Sequence, residues 1–176
     1  MRRKKNEIQD KKLINSIIYE SKVCRLALAD PNSKQPYIVP LNFGYANNTL
    51  YFHSSLEGKK ISLIKINPLV SFEFDQVFEI LKTEKVCKWG VKYRSVIGFG
   101  RASIIDDAKD VNQKIEALKI IISQYYFENS QKSCLQSLDI KDFKYLDDLK
   151  SFNLNNLAII KVEIDQMTGK QSGDFL

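Results

Sequence analysis

The stretch Leu50-Tyr51-Phe52-His53-Ser54-Ser55-Leu56-Glu57-Gly58-Lys59-Lys60 constrains this chain more than any other. An apolar strand runs into the only histidine, two hydroxyls follow at once, and a Gly-Lys-Lys step opens the amphipathic run from Ile61 to Ile66. A strand that delivers serines and lysines to a helix N-terminus makes an anion site. The first-turn N–H groups and the helix dipole supply partial positive charge, and the lysines supply full charge. A phosphate-bearing cofactor suits such a site, with an aromatic ring system lying against the preceding strand.

Around that step the hydrophobic periods alternate between strand and helix. Asp10 reads as the N-cap of a helix whose apolar face is Leu13, Ile14, Ile17 and Ile18. Residues 23–29 form a strand ended by Asp30-Pro31-Asn32-Ser33, and 35–45 a longer one. Asn47-Asn48 supplies the positive φ of a tight hairpin turn into 49–53. The helix over 58–66 buries Ile61, Leu63, Ile64 and Ile66 and stops at Asn67-Pro68. Val70, Phe72 and Phe74 alternate with polar residues over 69–75, a half-buried strand. Residues 76–92 show no clear period. Residues 94–105 form the longest strand, with Gly98 and Gly100 marking a bulge or a close backbone approach. A long helix spans 109–127 on Val111, Ile115, Leu118, Ile121 and Ile122; residues 128–153 are a polar, irregular insertion; 157–167 close the chain as a strand. Several antiparallel strands with helices at their ends predict the α+β class, mainly β, as a barrel or strongly coiled sheet. With no repeat and no break in composition, residues 1–176 read as one domain.

The 176 residues suffice for a real core, and 44% apolar with 27% charged residues is an ordinary soluble balance. The apolar runs are too short to span a bilayer. Arg2, Arg3, Lys4 and Lys5 are followed by no apolar segment, so no export is expected. Cys24, Cys87 and Cys134 are odd in number and widely spaced, which predicts reduced thiols in a cytoplasmic protein, neither a metal site nor a disulfide scaffold. The net charge of +6 bears first on solubility. Nucleic acid binding would need an aromatic-and-basic stripe that cannot be assembled here.

Several unlinked motifs, in order, resemble one family. They are Arg2-Arg3-Lys4, Val23-Cys24-Arg25-Leu26, the run from Pro36 to Tyr45, Tyr51-Phe52-His53-Ser54 and Gly58-Lys59-Lys60. Cys87-Lys88-Trp89, the run from Lys92 to Ala102 and Thr168-Gly169-Lys170 continue the series. The resemblance is to nitroimidazole-resistance (Nim) type flavoproteins of the pyridoxamine-phosphate-oxidase-like split-barrel superfamily. It implies an FMN-binding split β-barrel with flanking helices, working as a homodimer with the flavin held between subunits. By motif, Val39, Pro40, Leu41 and Asn42 would line one edge of the isoalloxazine, His53 and Ser54 would follow on the next strand, and Lys59 and Lys60 would hold the phosphate. Arg94 and Ser95 sit where the superfamily has an Arg-Gln pair approaching the flavin. Trp89 and Tyr93 would roof it from the partner subunit. The implied activity is electron transfer from a nicotinamide or other donor to a small oxidised organic acceptor, nitroaromatics among the candidates.

Plainer readings compete at each position. Ser54-Ser55-Leu56-Glu57 fits a capping box, so Ser54 would merely cap the helix. Lys59 and Lys60 could be solvated, yet two lysines beside the positive end of a dipole cost about 0.3–1 kcal/mol each, a misfit that a bound dianion removes. His53 is either a positioning and proton-donating residue or a packing residue. Tyr37, Phe43 and Tyr45 read as barrel and core aromatics. Two other functions stay open: a flavin-binding sensor or carrier with little turnover, and a haem-binding relative with His53 as axial ligand.

Overall fold

The computed structural model describes residues 4–106, 110–126 and 154–173. In chain order the elements are β1 (Glu7–Ile8), α1 (Lys11–Glu20), β2 (Cys24–Ala29), β3 (Pro36–Leu41), β4 (Gly44–Ala46) and β5 (Thr49–Ser55). They continue with α2 (Lys59–Ile66), β6 (Leu69–Leu81), β7 (Gly90–Ile105), α3 (Val111–Tyr126) and β8 (Leu157–Ser172). Every strand pairing is antiparallel, in the order β3-β2-β6-β7-β8-β5-β4, with β1 added to β8. This is a split β-barrel with flanking helices.

Local chemistry sets the elements. The Asp10 carboxylate accepts the Lys12 N–H at 2.8 Å and caps α1. Asn47 and Asn48 both hold positive φ (49° and 58°), as the β4–β5 hairpin requires. The Asn48 amide then ties that turn to the Ile164 carbonyl at 2.8 Å. β3 carries Pro36 and Pro40, which an edge strand tolerates and a central one does not.

The core holds Phe43, Phe52, Phe72 and Phe74, all fully buried, with the Phe43 and Phe74 rings 4.9 Å apart. Gly98 lies under the Phe72 ring, where a Cβ would come within 2.1 Å. Gly100 sits at a register shift between β7 and β8 that leaves Asp165 unpaired, so the two glycines mark a close approach and a bulge respectively. α1 contributes Ile14, Ile17 and Ile18 to this core. α3 lies on the opposite face of the sheet, where Ala117, Leu118 and Ile121 cover Ile159 of β8.

Two expectations change, at residues 35–45 and at Ile66. Residues 35–45 are two strands, β3 paired with β2 and β4 with β5, and Asn42 and Phe43 form the step between them. Residues 76–92, without a clear period, form the end of β6, a short turn and the start of β7: a hairpin arm exposed enough that neither face imposes alternation. Ile66 is 57% exposed, outside the core assigned to it. Residues 128–153 and Cys134 lie outside the described residues. Among those described, Cys24 is buried and Cys87 exposed, both as free thiols. Burial pushes the Cys24 thiol well above its ordinary value, which leaves it unreactive. Among the described residues no helix is long and apolar enough to cross a membrane.

Candidate functional site

β5 leads through Leu56, Glu57 and Gly58 straight into α2. Gly58 is the N-cap, with φ 127° and no side-chain cap hydrogen bond. The capping box does not form: Ser54 stays in the strand, because its pairing opposite Ala158 of β8 holds residues 49–55 extended. Its Oγ is buried and has no hydrogen-bond partner among the described residues. A buried hydroxyl without a partner costs free energy, roughly 1–3 kcal/mol, unless a water or a ligand satisfies it.

Beyond that hydroxyl come the two lysines. Lys59 Nζ is 3.3 Å from Asp30 Oδ2 and 5.0 Å from the centre of the Tyr37 ring. The link from β2 to β3, the start of β3 and the start of α2 therefore converge at one place. The other oxygen of Asp30 accepts the N–H groups of Asn32 and Ser33, each at 3.1 Å. These bonds, those to Ser33 first, lower the Asp30 carboxyl to about 2 from an ordinary 3.8. A lowered carboxylate stabilises the fold fully above its unfolded value, and the contribution is lost as pH falls from about 4 through 2. Urea midpoints of the unaltered protein and of Asp30→Asn should therefore converge over that window. A gap constant from pH 5 to pH 2 would refute the assignment.

Among the described residues β3 is hydrogen-bonded on one side only, to β2, and β5 beyond Tyr51 only to β8. Two strand edges thus keep unpaired backbone groups next to Ser54 and the lysines. On β3, Val39 and Leu41 are half-buried against the core while Pro40 and Asn42 are exposed. His53 is exposed on the face it shares with Tyr51, opposite Ile159, and the buried Ser54 points the other way. Phe43 and Tyr45 are core aromatics, and Tyr37 meets Lys59.

The residues on the β6–β7 arm lie elsewhere. Tyr93 is twelve residues along β7 from Ile105, the residue level with His53 through Ile159, or about 40 Å of strand at ~3.3 Å per residue. From β3, β7 is three strands across, about 14 Å at ~4.8 Å per strand. Arg25, paired with both Glu73 (3.0 Å) and Asp75, stands on the exposed face between them. Arg94 and Ser95 point to opposite faces: Arg94 packs its guanidinium 5.6 Å from the Phe78 ring, and Ser95 lies between Asp75 and Lys170. Trp89 donates to the Thr83 carbonyl at 2.9 Å and lies under Lys82. The Tyr93 ring meets Lys170 at 5.7 Å. The structure brings Lys59 to Asp30 and to Tyr37 at the start of β3, sets His53 and Ser54 on opposite faces of β5, and carries Trp89 and Tyr93 out along the β6–β7 arm.

Sequence reasoning missed Tyr125 and Gln124 at the end of α3. Tyr125 Oη accepts the Phe43 N–H at 3.0 Å and donates to the Lys22 carbonyl at 2.9 Å. The fully buried Gln124 amide donates to the carbonyls of Tyr19 (2.9 Å), Ser21 (3.3 Å) and Ile18 (3.4 Å). The only available signal was polar residues on the buried side of an apolar helix. A separate cavity of about 680 Å³ opens between α1, the β4–β5 turn and the bulge of β8, and shares no residue with the β3–β5–α2 group.

A family model described as pyridoxamine 5'-phosphate oxidase matches residues 10–171. The chain belongs to this family. Among solved structures, one from Bacteroides thetaiotaomicron VPI-5482, provisionally assigned as a 5-nitroimidazole antibiotic resistance protein, shares 32% identity. The match covers 93% of this chain and 85% of that one, with a TM-score of 0.70. A FAD-binding protein from Mesorhizobium loti (22% identity, 93% and 96% covered, TM-score 0.60) has the same fold. So has a FAD and haem binding protein from Mycobacterium smegmatis (14% identity, 97% and 75% covered, TM-score 0.73). No curated protein matches the chain. A flavin fits the residues present: unpaired strand edges for a ring rich in donors and acceptors, the orphaned Ser54 hydroxyl, and Lys59 and Lys60 at an uncapped helix start for phosphate.

Proposed function

We propose that the protein is an FMN-dependent oxidoreductase of the Nim type, passing electrons from a nicotinamide or other cellular donor to a small oxidised organic molecule such as a nitroaromatic. The observation that carries this reading is the buried Ser54 Oγ, without a hydrogen-bond partner among the described residues, on the strand that leads into the Lys59–Lys60 step. FMN is favoured over a flavin without phosphate because two cations at a helix start, an arrangement unfavourable alone, become favourable around a dianion. When bound, the flavin supplies the electron chemistry, and the protein supplies binding, orientation and electrostatics. Val39 to Asn42 would read the ring edge, Ser54 would satisfy its hydroxyl near the ribityl phosphate, and Lys59 and Lys60 would hold the phosphate. The exposed His53 would orient the acceptor and hold a proton for it.

A second copy completes the site in this reading. Trp89 and Tyr93, out on the exposed β6–β7 arm, would cover the flavin of the partner. Ile97 and Phe99, each 48% exposed, extend that surface, and closed two-fold pairing is the common solution for such a patch. Val96, next to Ile97 in sequence, is fully buried in the core, because β7 turns alternate residues inward. A cytoplasmic setting belongs to this reading, since three widely spaced cysteines, odd in number, suit a reducing compartment.

The test is to load the purified protein with FMN, reduce it without air and follow reoxidation by a nitroaromatic, with the mass measured by light scattering. Fast reoxidation by a species of two chains supports the reading. A fully loaded single chain, or a flavin that the acceptor does not reoxidise, contradicts it. His53→Ala should keep FMN affinity within about tenfold, 1.4 kcal/mol, and slow reoxidation by more. Unaltered turnover in that variant would leave His53 without a role at the site.

A further inference from the structure

We propose that the gap along the edge of β8, between the end of β5 and the start of β1, is a second binding site, for a flat organic cation bearing N–H donors. It is independent of the flavin reading, since its lining includes none of the residues placed around the flavin.

The gap follows from strand pairing. β5 pairs with β8 only as far as Glu163, and β1 takes up the same edge at Gly169. Among the described residues no strand pairs with Ile164 to Thr168 on that side, about 17 Å of edge at ~3.3 Å per residue. All five line the cavity of about 680 Å³, a volume ordinary for a small-molecule site. Both ends of the slot are shut. At one end the Asn48 side-chain amide donates to the Ile164 carbonyl at 2.8 Å, and the Ile164 N–H donates to the Asn48 carbonyl at 3.2 Å. At the other end Ile8 pairs with Gly169. A peptide strand laid along this edge could not continue past either end, so the occupant is a small molecule.

The lining sets its chemistry. Ile14, Tyr45, Ile164 and Met167 give the cavity a floor packed on the core. The Tyr19 and Tyr45 rings stand 5.3 Å apart, inclined at 55°, and the face of a tyrosine ring attracts a cation. The Tyr45 hydroxyl gives its one hydrogen to Asn15 Oδ1 at 3.1 Å, so toward a ligand its oxygen can only accept. At the rim the Glu7 and Asp165 carboxylates outnumber the single ammonium of Lys11. Ring faces, acceptor and carboxylates thus all favour a positively charged N–H donor. Flatness comes from the slot, which replaces one missing strand and so has a width of about 4.8 Å. Amidines and protonated aromatic amines are of this class.

The experiment titrates the isotope-labelled full chain with benzamidine, and with its neutral isostere benzamide, following the backbone amide signals by NMR. Benzamidine should move the signals of Ile164 to Thr168 and saturate with a Kd of about 1 mM or tighter. Benzamide should bind roughly tenfold more weakly, and Glu7→Gln/Asp165→Asn should bring benzamidine down to the same level. Added FMN should leave the benzamidine titration unchanged. The absence of a saturable shift at these amides up to about 10 mM, or equal binding of benzamide, would overturn the inference. Competition between benzamidine and FMN would place the probe at the flavin site and overturn it as well, while leaving flavin binding intact.

Discussion

Replacing Lys59 and Lys60 together by alanine should weaken FMN binding by about 2 kcal/mol, roughly thirtyfold, and leave riboflavin binding nearly unchanged. Removing the partner of a buried charge costs 2–5 kcal/mol or more. The lower end applies here because the Lys59 side chain is 53% exposed and already shares its charge with Asp30. Riboflavin has no phosphate, so it isolates the electrostatic contribution from the fold. Titration of flavin fluorescence against both ligands measures the two affinities. Equal losses for FMN and riboflavin would mean that the lysines support the α2 start and not a phosphate.

A large structural effect is expected at Gly44. Its hypothetical Cβ would lie 2.6 Å from the Ile121 nitrogen, 2.7 Å from the Ile120 carbonyl carbon and 2.8 Å from the Ile120 oxygen. Those are helix backbone atoms, which cannot rotate aside as a side chain can. Gly44→Ala must therefore lift α3 from β4, and overpacking of this kind costs about 1–3 kcal/mol. The displacement would also draw Tyr125 away from Phe43, so flavin affinity should fall along with the melting temperature. Gly90→Ala is the matched control, since a Cβ there meets nothing within 4 Å. Similar melting curves for the two variants would refute the close approach of α3.

The anion-site end was legible because it is local. The strand 49–53, the Gly-Lys-Lys step and the stop at Asn67-Pro68 lie within twenty consecutive residues, each with its own signal. The double-asparagine turn was readable for the same reason, since positive φ at both positions is a local demand. What escaped depends on contacts distant in sequence. Ser54 satisfies the letter of a capping box, yet its pairing with β8, more than a hundred residues away, keeps it in the strand. The β6–β7 arm has no period because little covers it: Val77, Ile80 and Val86 are all well exposed. Lys114 is fully buried in α3, with Nζ on the carbonyls of Leu154 (3.0 Å) and Asp106 (3.2 Å), partners that no helical pattern reveals. The place of Trp89 and Tyr93 on the β6–β7 arm likewise follows from strand pairing and not from spacing.

The most direct measurement of the central claim is the absorption spectrum of the purified protein, with mass spectrometry of the cofactor it releases. A bound flavin at the β3–β5–α2 site predicts a yellow protein with the two visible flavin bands, a released mass of FMN, and loss of that chromophore in the Lys59→Ala/Lys60→Ala variant. A red protein with a Soret band, or a flavin retained undiminished by the double variant, would contradict it.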